Sequence, residues 1–583
     1  VSARELITEH LDLWTGAVTK KSSSGRGSNG KVELTGVKKL RELICGMAVQ
    51  GKLTTREARD EPASDLLQRI SARQTQLYTQ GKIKKRKKLP SVSVEEQHFH
   101  LPDNWEWTRL GALFDSIMSG GTPSKQIPRF WDGDIPWASV KDLGKTKHLD
   151  ETQDYITEEG LKAGSKLAAT GDVLICTRMG LGKVAICSKP IAINQDLKAV
   201  KVSSEVSLDY FFLAYTTLDI TGTGTTVAGI TQDKLLNYVI GLPPIEEQHR
   251  IVQKVDELMA LCDRLEQQTS DQLEAHETLV DTLLGTLTQS ENATELADNW
   301  ARLAAHFDTL FTTEQSIDKL KQTILQLAVM GRLVEQDSGD EPATEALKRI
   351  QAGKDQLSQL SKQRKAKPLP PISESEEPFS LPSGWTLSRL DDITDIQGGI
   401  AKGKKVSGKK TRTLPYLRVA NVQRSSLDLS EIKEIEIAED EVERYLVRRR
   451  DLLITEGGDW DKVGRTAIWD GRIEPMAHQN HVFRARLILA EQNERWLERY
   501  LNSQFARDYF AGSSKQTTNL ASINKTQLRS CTVPLPPLAE QNRIIQKVDE
   551  LMALCDQLKE RLNQASETRC QLAETIVEQG LSA

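Results

Sequence analysis

The sequence predicts an α+β protein in which two α+β domains are separated by long antiparallel coiled-coil helices, the whole built on an internal pseudo-two-fold duplication. Three observations lead there. Leu242 to Asp263 (LPPIEEQHRIVQKVDELMALCD) and Leu535 to Asp556 (LPPLAEQNRIIQKVDELMALCD) share 18 of 22 positions at an offset of 293, and self-similarity at a fixed spacing marks a repeated structural unit. Leu40 to Ile70 and Leu320 to Ile350 share 13 of 31 positions at an offset of 280, including A-V-x-G-x-L and D-E-P-A. Leu101-Pro102-x-x-Trp105 and Leu381-Pro382-x-x-Trp385 keep that offset of 280, so the second copy gains its 13 extra residues in the stretch between the helical flanks. The flanks repeat and the middles diverge.

At 583 residues the chain is too long for one hydrophobic core. Residues 1–102 are predicted as an N-terminal helical region, with the Ser/Gly-rich KKSSSGRGSNGK at 20–31 as a flexible linker. Apolar residues at helical spacing (Leu40, Leu43, Ile44, Met47, and again Leu320, Ile324, Leu327, Ala328) mark a helix interrupted at Gly51 or Gly331 and restarted after D-E-P-A. The basic run Lys82-Ile83-Lys84-Lys85-Arg86-Lys87-Lys88 and the poorer Lys362 to Lys367 follow. Each suits a solvated linker or a phosphate-contacting arm, and charge alone does not separate the two. Residues 103–241 and 383–534 are the variable domains. Their short apolar runs, such as Asp172-Val173-Leu174-Ile175 and Asp451-Leu452-Leu453-Ile454, read as buried strands. Residues 242–382 form a central helical region and 535–583 a C-terminal coiled-coil helix. Ile544, Val548, Leu551, Cys555, Leu558, Leu562 and Ala565, with Ile251, Val255, Leu258, Cys262 and Leu265 in the first copy, step by four and three as an a/d seam does. Two such seams in one chain are expected to satisfy each other as an antiparallel pair, the alternative being that each packs on its own domain.

Composition excludes several function classes. No run of 18 apolar residues exists, so no membrane span is expected, and a start without an apolar signal points to a cytoplasmic protein. The seven cysteines are scattered with no C-x-x-C pair, which suits reduced thiols rather than a zinc site. Net charge is -5, so a nucleic-acid partner has to be argued from local charge. Gly398-Gly399-Ile400-Ala401-Lys402-Gly403-Lys404-Lys405 lacks the Ser or Thr that completes a phosphate-binding loop. His478-Gln479-Asn480-His481 offers no third metal ligand in view. No cofactor of its own and no catalysis by the chain alone are expected.

The assembled residues resemble the specificity subunit of type I restriction-modification systems, over nearly the whole chain. The two variable segments ahead of the LPPxxEQxRI helices are similar to that family's target recognition domains. Ser119-Gly120-Gly121-Thr122-Pro123-Ser124-Lys125, Phe130-Trp131-x-Gly133-Asp134-Ile135-Pro136-Trp137, Gly182-Lys183 and Asn194-Gln195-Asp196 carry the first match. Pro415 to Val422 and Asp451 to Gly458 carry the second, which lacks the G-G-T-P-S run. The resemblance implies a non-catalytic subunit that reads a bipartite site on double-stranded DNA and carries two copies of a methyltransferase subunit. Restriction/translocase subunits complete the assembly. S-adenosylmethionine, ATP and Mg would belong to those partners. A coiled-coil scaffold without DNA binding is the alternative from another class.

Arginine bridges guanine O6 and N7, Asn or Gln bridges adenine N6 and N7, and lysine mostly meets phosphate. In Gly-rich or post-strand loops this nominates Lys125, Lys141, Arg178, Lys183 and Gln195 in the first domain. In the second it nominates Lys402, Lys404, Lys405, Arg418, Asn421, Lys462, Arg465, His478 and Asn480. Solvated surface charge is the competing reading for each, and at least half are expected to be that. Trp131, Trp137 and Trp460 read more readily as core than as base-stacking groups. Coiled-coil packing constrains mainly a and d, yet the duplicated segments match beyond the seam. Gln248, Arg250, Gln541 and Arg543 are therefore expected at docking surfaces for two copies of one partner.

Overall fold

The computed structural model describes residues 8–20, 32–55, 57, 59–83, 88–222, 228–291, 293–360, 367–403, 408–458, 462–513, 515–517 and 520–582. The linker at 21–31 and most of both basic runs lie outside these residues. The chain divides into two compact units, Val1–Gln272 with Gln564–Ala583, and Leu273–Asn563. Both divisions fall inside 45-residue helices, so each unit holds the first part of one long helix and the last part of the other.

The first unit contains helices α1 (Thr35–Val49) and α2 (Ala63–Thr79) and the start of α3 (Ile245–Gln289). The second contains α4 (Glu314–Val329), α5 (Ala343–Leu360) and the start of α6 (Leu538–Ser582). In the first unit the predicted seam Ile251, Val255, Leu258 and Cys262 shares one core with Leu40, Leu43, Ile44 and Met47 of α1 and with Ala573, Ile576 and Val577 of α6. Polar contacts between the helices show the directions. Arg41 meets Asp263 and Glu266 while Thr54 meets Glu247, so α3 runs against α1. Lys39 meets Glu574 and Lys52 donates to the carbonyl of Leu581, so α6 runs with α1 and against α3.

The second unit repeats the arrangement. Ile317, Leu320, Ile324 and Leu327 of α4 pack with Val280, Leu284 and Leu287 of α3, and with Cys555 of α6 flanked by Leu551, Leu558 and Leu562. Lys321 pairs with Asp556 and Lys559 with Asp318, the counterparts of the α1–α3 contacts. The long helices are antiparallel as expected, but the seam partners differ from the expectation. In an antiparallel pair the first half of one helix lies beside the second half of the other, so the two duplicated stretches fall in different units. Each has a third helix, α1 or α4, filling its remaining apolar side.

The first domain is closed at its base by β1 (Glu106–Arg109) and built from β2 (Phe114–Ser119), β3 (Trp131–Ala138), β4 (His148–Leu149), β5 (Asp154–Ile156), β6 (Lys166–Ala168), β7 (Val173–Cys176), β8 (Val184–Cys187), β9 (Ile191–Ile193) and β10 (Leu197–Val202). Its last strand, β11 (Val239–Leu242), pairs antiparallel with β1, Leu242 opposite Glu106, and delivers the chain into α3. One sheet has the order β2-β10-β7-β8-β4 and the other β5-β3-β9-β6. Every residue of β7, β8 and β9 is buried, which is why these runs are continuously apolar rather than alternating.

The second domain has β12 (Thr386–Arg389), β13 (Thr394–Gly398), β14 (Thr411–Leu417), β15 (Lys433–Ala438), β16 (Leu446–Val447), β17 (Leu452–Thr455), β18 (Thr466–Ile468), β19 (Met476–His478), β20 (Val482–Leu487) and β21 (Thr532–Leu535). Its sheets run β13-β20-β17-β18 and β15-β14-β19-β16, and β12 pairs with β21 as β1 does with β11. Apart from β4, which has no counterpart in the second domain's sheets, the strand order of the first domain recurs although the sequences between the flanks do not.

Candidate nucleic-acid interface

In the first domain four segments meet at one end of the two sheets. They are the turn after β2, the exit of β3, the β7–β8 connection and the β9–β10 connection. Backbone hydrogen bonds lock them together. Gly121 N donates to Ile193 O at 2.9 Å, Asn194 N to Ala138 O at 3.0 Å, Thr177 N to Asp196 O at 2.9 Å and Cys176 N to Lys183 O at 3.0 Å. The second domain has the same four bonds. Ile400 N donates to His478 O, Gln479 N to Leu417 O and Glu456 N to His481 O, each at 2.9 Å, and Thr455 N to Arg465 O at 3.0 Å.

These bonds give a residue-by-residue correspondence that sequence comparison missed. Lys183 matches Arg465, Gln195 matches Asn480, Asp196 matches His481, and Gly120 matches Gly399. A Cβ at Gly120 would stand 2.0 Å from Asn194 O, and one at Gly399 would stand 2.3 Å from Gln479 O, so only glycine allows the close strand approach at both places. The second domain thus has the same turn without the G-G-T-P-S run. Gly399 serves strand packing there, while a side chain at Gly398 would meet open space.

The structure brings most first-domain candidates onto one loop surface. Arg178, Lys183 and Gln195 are exposed beside one another, with Lys125 and Lys141 exposed on the adjoining loops. Arg178 is held 3.6 Å from the nearly buried Asp196. Gln195 accepts from Thr122 Oγ1 and donates to Asp196 at 3.4 Å, and Lys183 donates to Val140 O at 3.4 Å. In the second domain Lys402 is exposed and Lys462, Arg465 and Asn480 are half-buried. Arg465 donates to Gln423 Oε1 at 2.7 Å. His481 Nδ1 is hydrogen-bonded to Glu456 Oε2 at 2.7 Å, so a polar bridge between the same two loops recurs with its carboxylate on the opposite loop. Lys404, Lys405 and Trp460 lie outside the described residues. Arg418 is half-buried and occupied by Glu431, through its carbonyl at 2.9 Å and its carboxylate at 3.2 Å.

Four nominations are corrected. His478 is fully buried, because it occupies the inward strand position held by Ile193 in the first domain. Its Nδ1 donates to Val482 O at 2.7 Å, and burial pushes its pKa down to about 4, leaving it neutral. Asn421 is buried and closes the turn after β14. Its Oδ1 accepts from Arg418 N at 2.9 Å and its Nδ2 donates to Asp428 O at 2.8 Å, the role Asp142 plays after β3. Gln248 and Gln541 are buried too, each donating at 2.9 Å to a proline carbonyl at the helix start, Pro243 or Pro536. Their neighbours Arg250 and Arg543 hold Asp60 and Asp340. Matching residues that reach solvent include the part-exposed Lys254 and the exposed Glu257 and Leu261, with Lys547, Glu550 and Leu554 in the second copy. Trp137 is core, as expected, with its edge against Trp131 at 5.0 Å between centroids.

A family model for the type I restriction modification DNA specificity domain matches residues 102–275 and again 382–567. The chain belongs to that family. It is 37% identical over 627 residues to the type I restriction enzyme EcoEI specificity subunit of Escherichia coli, and 38% identical over 612 residues to the EcoAI specificity subunit of the same organism. Both matches cover all of this chain and all of the relative. A solved HsdS subunit from Thermoanaerobacter tengcongensis aligns with 84% of this chain and all of its own at 18% identity, with a TM-score of 0.39. The protein is therefore a specificity subunit of a type I restriction-modification system with two DNA specificity domains, and catalysis resides in partner subunits. The scaffold alternative is not favoured. Among the described residues no helix is long and apolar enough to cross a membrane.

Proposed function

We propose that each domain reads one half of an asymmetric, bipartite target on double-stranded DNA, through the loop surface at the end of its sheets. The observation that supports this is the shared frame with different contents. Two domains of one topology present a cation (Lys183, Arg465) and an amide (Gln195, Asn480) at matching backbone positions, while the residues around them differ. Lysine and arginine there hold phosphate or guanine, and the amides suit adenine. Different contents mean different half-sites, so the target is not a palindrome.

The duplicated helix starts dock two copies of a methyltransferase subunit through the solvent-facing Lys254, Glu257 and Leu261 and their counterparts Lys547, Glu550 and Leu554. Restriction/translocase subunits join that complex in the cytoplasm, and S-adenosylmethionine, ATP and Mg are used by the partners. The test is an exchange of residues 111–230 for the equivalent segment of a relative, followed by genome-wide mapping of modified adenines. One half of the target should change and the other persist. A change in both halves would overturn the one-domain, one-half assignment.

A further inference from the structure

The connection between β7 and β8 carries, next to Arg178, a side chain that the fold does not use. Met179 is 67% exposed and its backbone sits at φ +60°, a left-handed conformation that a long side chain rarely adopts. The position is held by Met179 N donating to Ala228 O at 3.3 Å and by a bridge between Arg178 and Gly229. In the second domain the corresponding pairs are Gly458 with Ala521 and Gly457 with Ser522, and Thr177 O and Glu456 O accept from Ile230 and Ile523 at 2.9 Å. Met179 thus stands where the other domain has Gly458 at φ +154°. Glycine is the unstrained residue there, and methionine gains no core packing in exchange. Strain retained at an exposed apolar residue is a feature of binding sites.

The surroundings narrow the ligand. Arg178, pinned toward Asp196, and the exposed Gln195 and Lys183 stand on the same loop surface. Met179 is an apolar group at the tip of a surface that offers hydrogen bonds to base edges. The apolar group on the major-groove edge of DNA is the C5-methyl of thymine, and a thioether side chain adapts readily to such a contact. We propose that Met179 is a specificity-determining residue that contacts a thymine methyl in the half-site read by the first domain. This rests on that domain's reading of one half-site.

The experiment uses the full chain assembled with its methyltransferase partner and duplexes carrying its mapped target. Each thymine of the first domain's half-site is replaced in turn by uracil, which lacks the methyl. At one position the replacement should weaken wild-type binding about four-fold, the equivalent of one buried methyl group. Met179→Ala should bind the thymine and uracil duplexes equally there. Met179→Gly, which also relieves the backbone, should do the same without lowering the unfolding temperature. Wild-type indifference to every uracil duplex, retained discrimination by Met179→Ala, or a half-site without an A·T pair would each overturn the proposal. Base-pair inversions in the same half-site separate the two readings. If inversions weaken binding and uracil does not, the methionine contact alone falls. If inversions change nothing, the domain's reading of that half-site falls with it.

Discussion

Removing Arg250 should destabilise the isolated chain, before any partner is present. Its Nη1 donates to Asp60 Oδ1 at 3.1 Å and its Nη2 bonds the other carboxylate oxygen. The Asp60 side chain is 1% exposed and that of Arg250 26%. Deleting one partner of a buried pair costs roughly 3–5 kcal/mol because the other charge is stranded. An arginine side chain left a quarter exposed lowers this to about 2 kcal/mol, since water reaches part of the site. For a unit of this size that is about 4 °C in the unfolding midpoint. Arg543→Ala should cost less, because Arg543 and Asp340 are more exposed, at 37% and 9%. The sign with pH follows from Asp60, whose carboxyl Arg250 holds below its ordinary 3.8. A depressed carboxyl stabilises above its unfolded pKa and loses that contribution as pH falls through the folded value. The gap between wild type and Arg250→Ala should therefore be full at neutral pH and close below about pH 4. Scanning calorimetry of the chain alone, with native mass spectrometry of the assembled complex, checks it. An Arg250→Ala chain that unfolds at the wild-type temperature yet loses one partner copy would refute the reasoning and return this arginine to the docking surface.

His478→Leu should remove an acid-labile term from the second domain. Its folded pKa of about 4 against an ordinary 6.5 means the unfolded chain binds the proton first, so wild type loses up to about 3 kcal/mol as pH falls from 6.5 to 4. The leucine variant should show a flatter stability curve across that window in denaturant titrations. Asn421→Ala should cost about 1–3 kcal/mol by stranding buried backbone groups, with the preferred bases unchanged in a binding selection. Lys183→Ala and Arg465→Ala should each weaken binding to the cognate duplex and reduce the salt slope by about one if the residue meets phosphate. An unchanged slope with a changed base preference would assign that residue to a base edge instead.

Helix periodicity made α1, α3, α4 and α6 legible, and unbroken apolar runs marked β7 and β17, because burial of a regular element imposes its spacing on the sequence. The duplication was equally plain, since it is a relation between strings. Exposure was not. His478 and Asn480 lie two residues apart in one polar tetrapeptide, yet the first ends a strand inside the sheet and the second stands in the loop beyond it. Gln248 and Gln541 share their sequence context with outward residues, but the proline carbonyl at the helix start draws each amide inward. The reading surface was hidden for a related reason. Asn194-Gln195-Asp196 and Gln479-Asn480-His481 share no identity in register, and backbone hydrogen bonds, which depend little on side-chain type, superimpose them. Residue spacing and internal repetition establish the repeated helices, the buried strands and the kinds of side chain available for DNA. Tertiary structure decided which of those side chains reach solvent and which helix fills each seam. Those outcomes depend on contacts between segments distant in the chain, and local spacing carries no record of them.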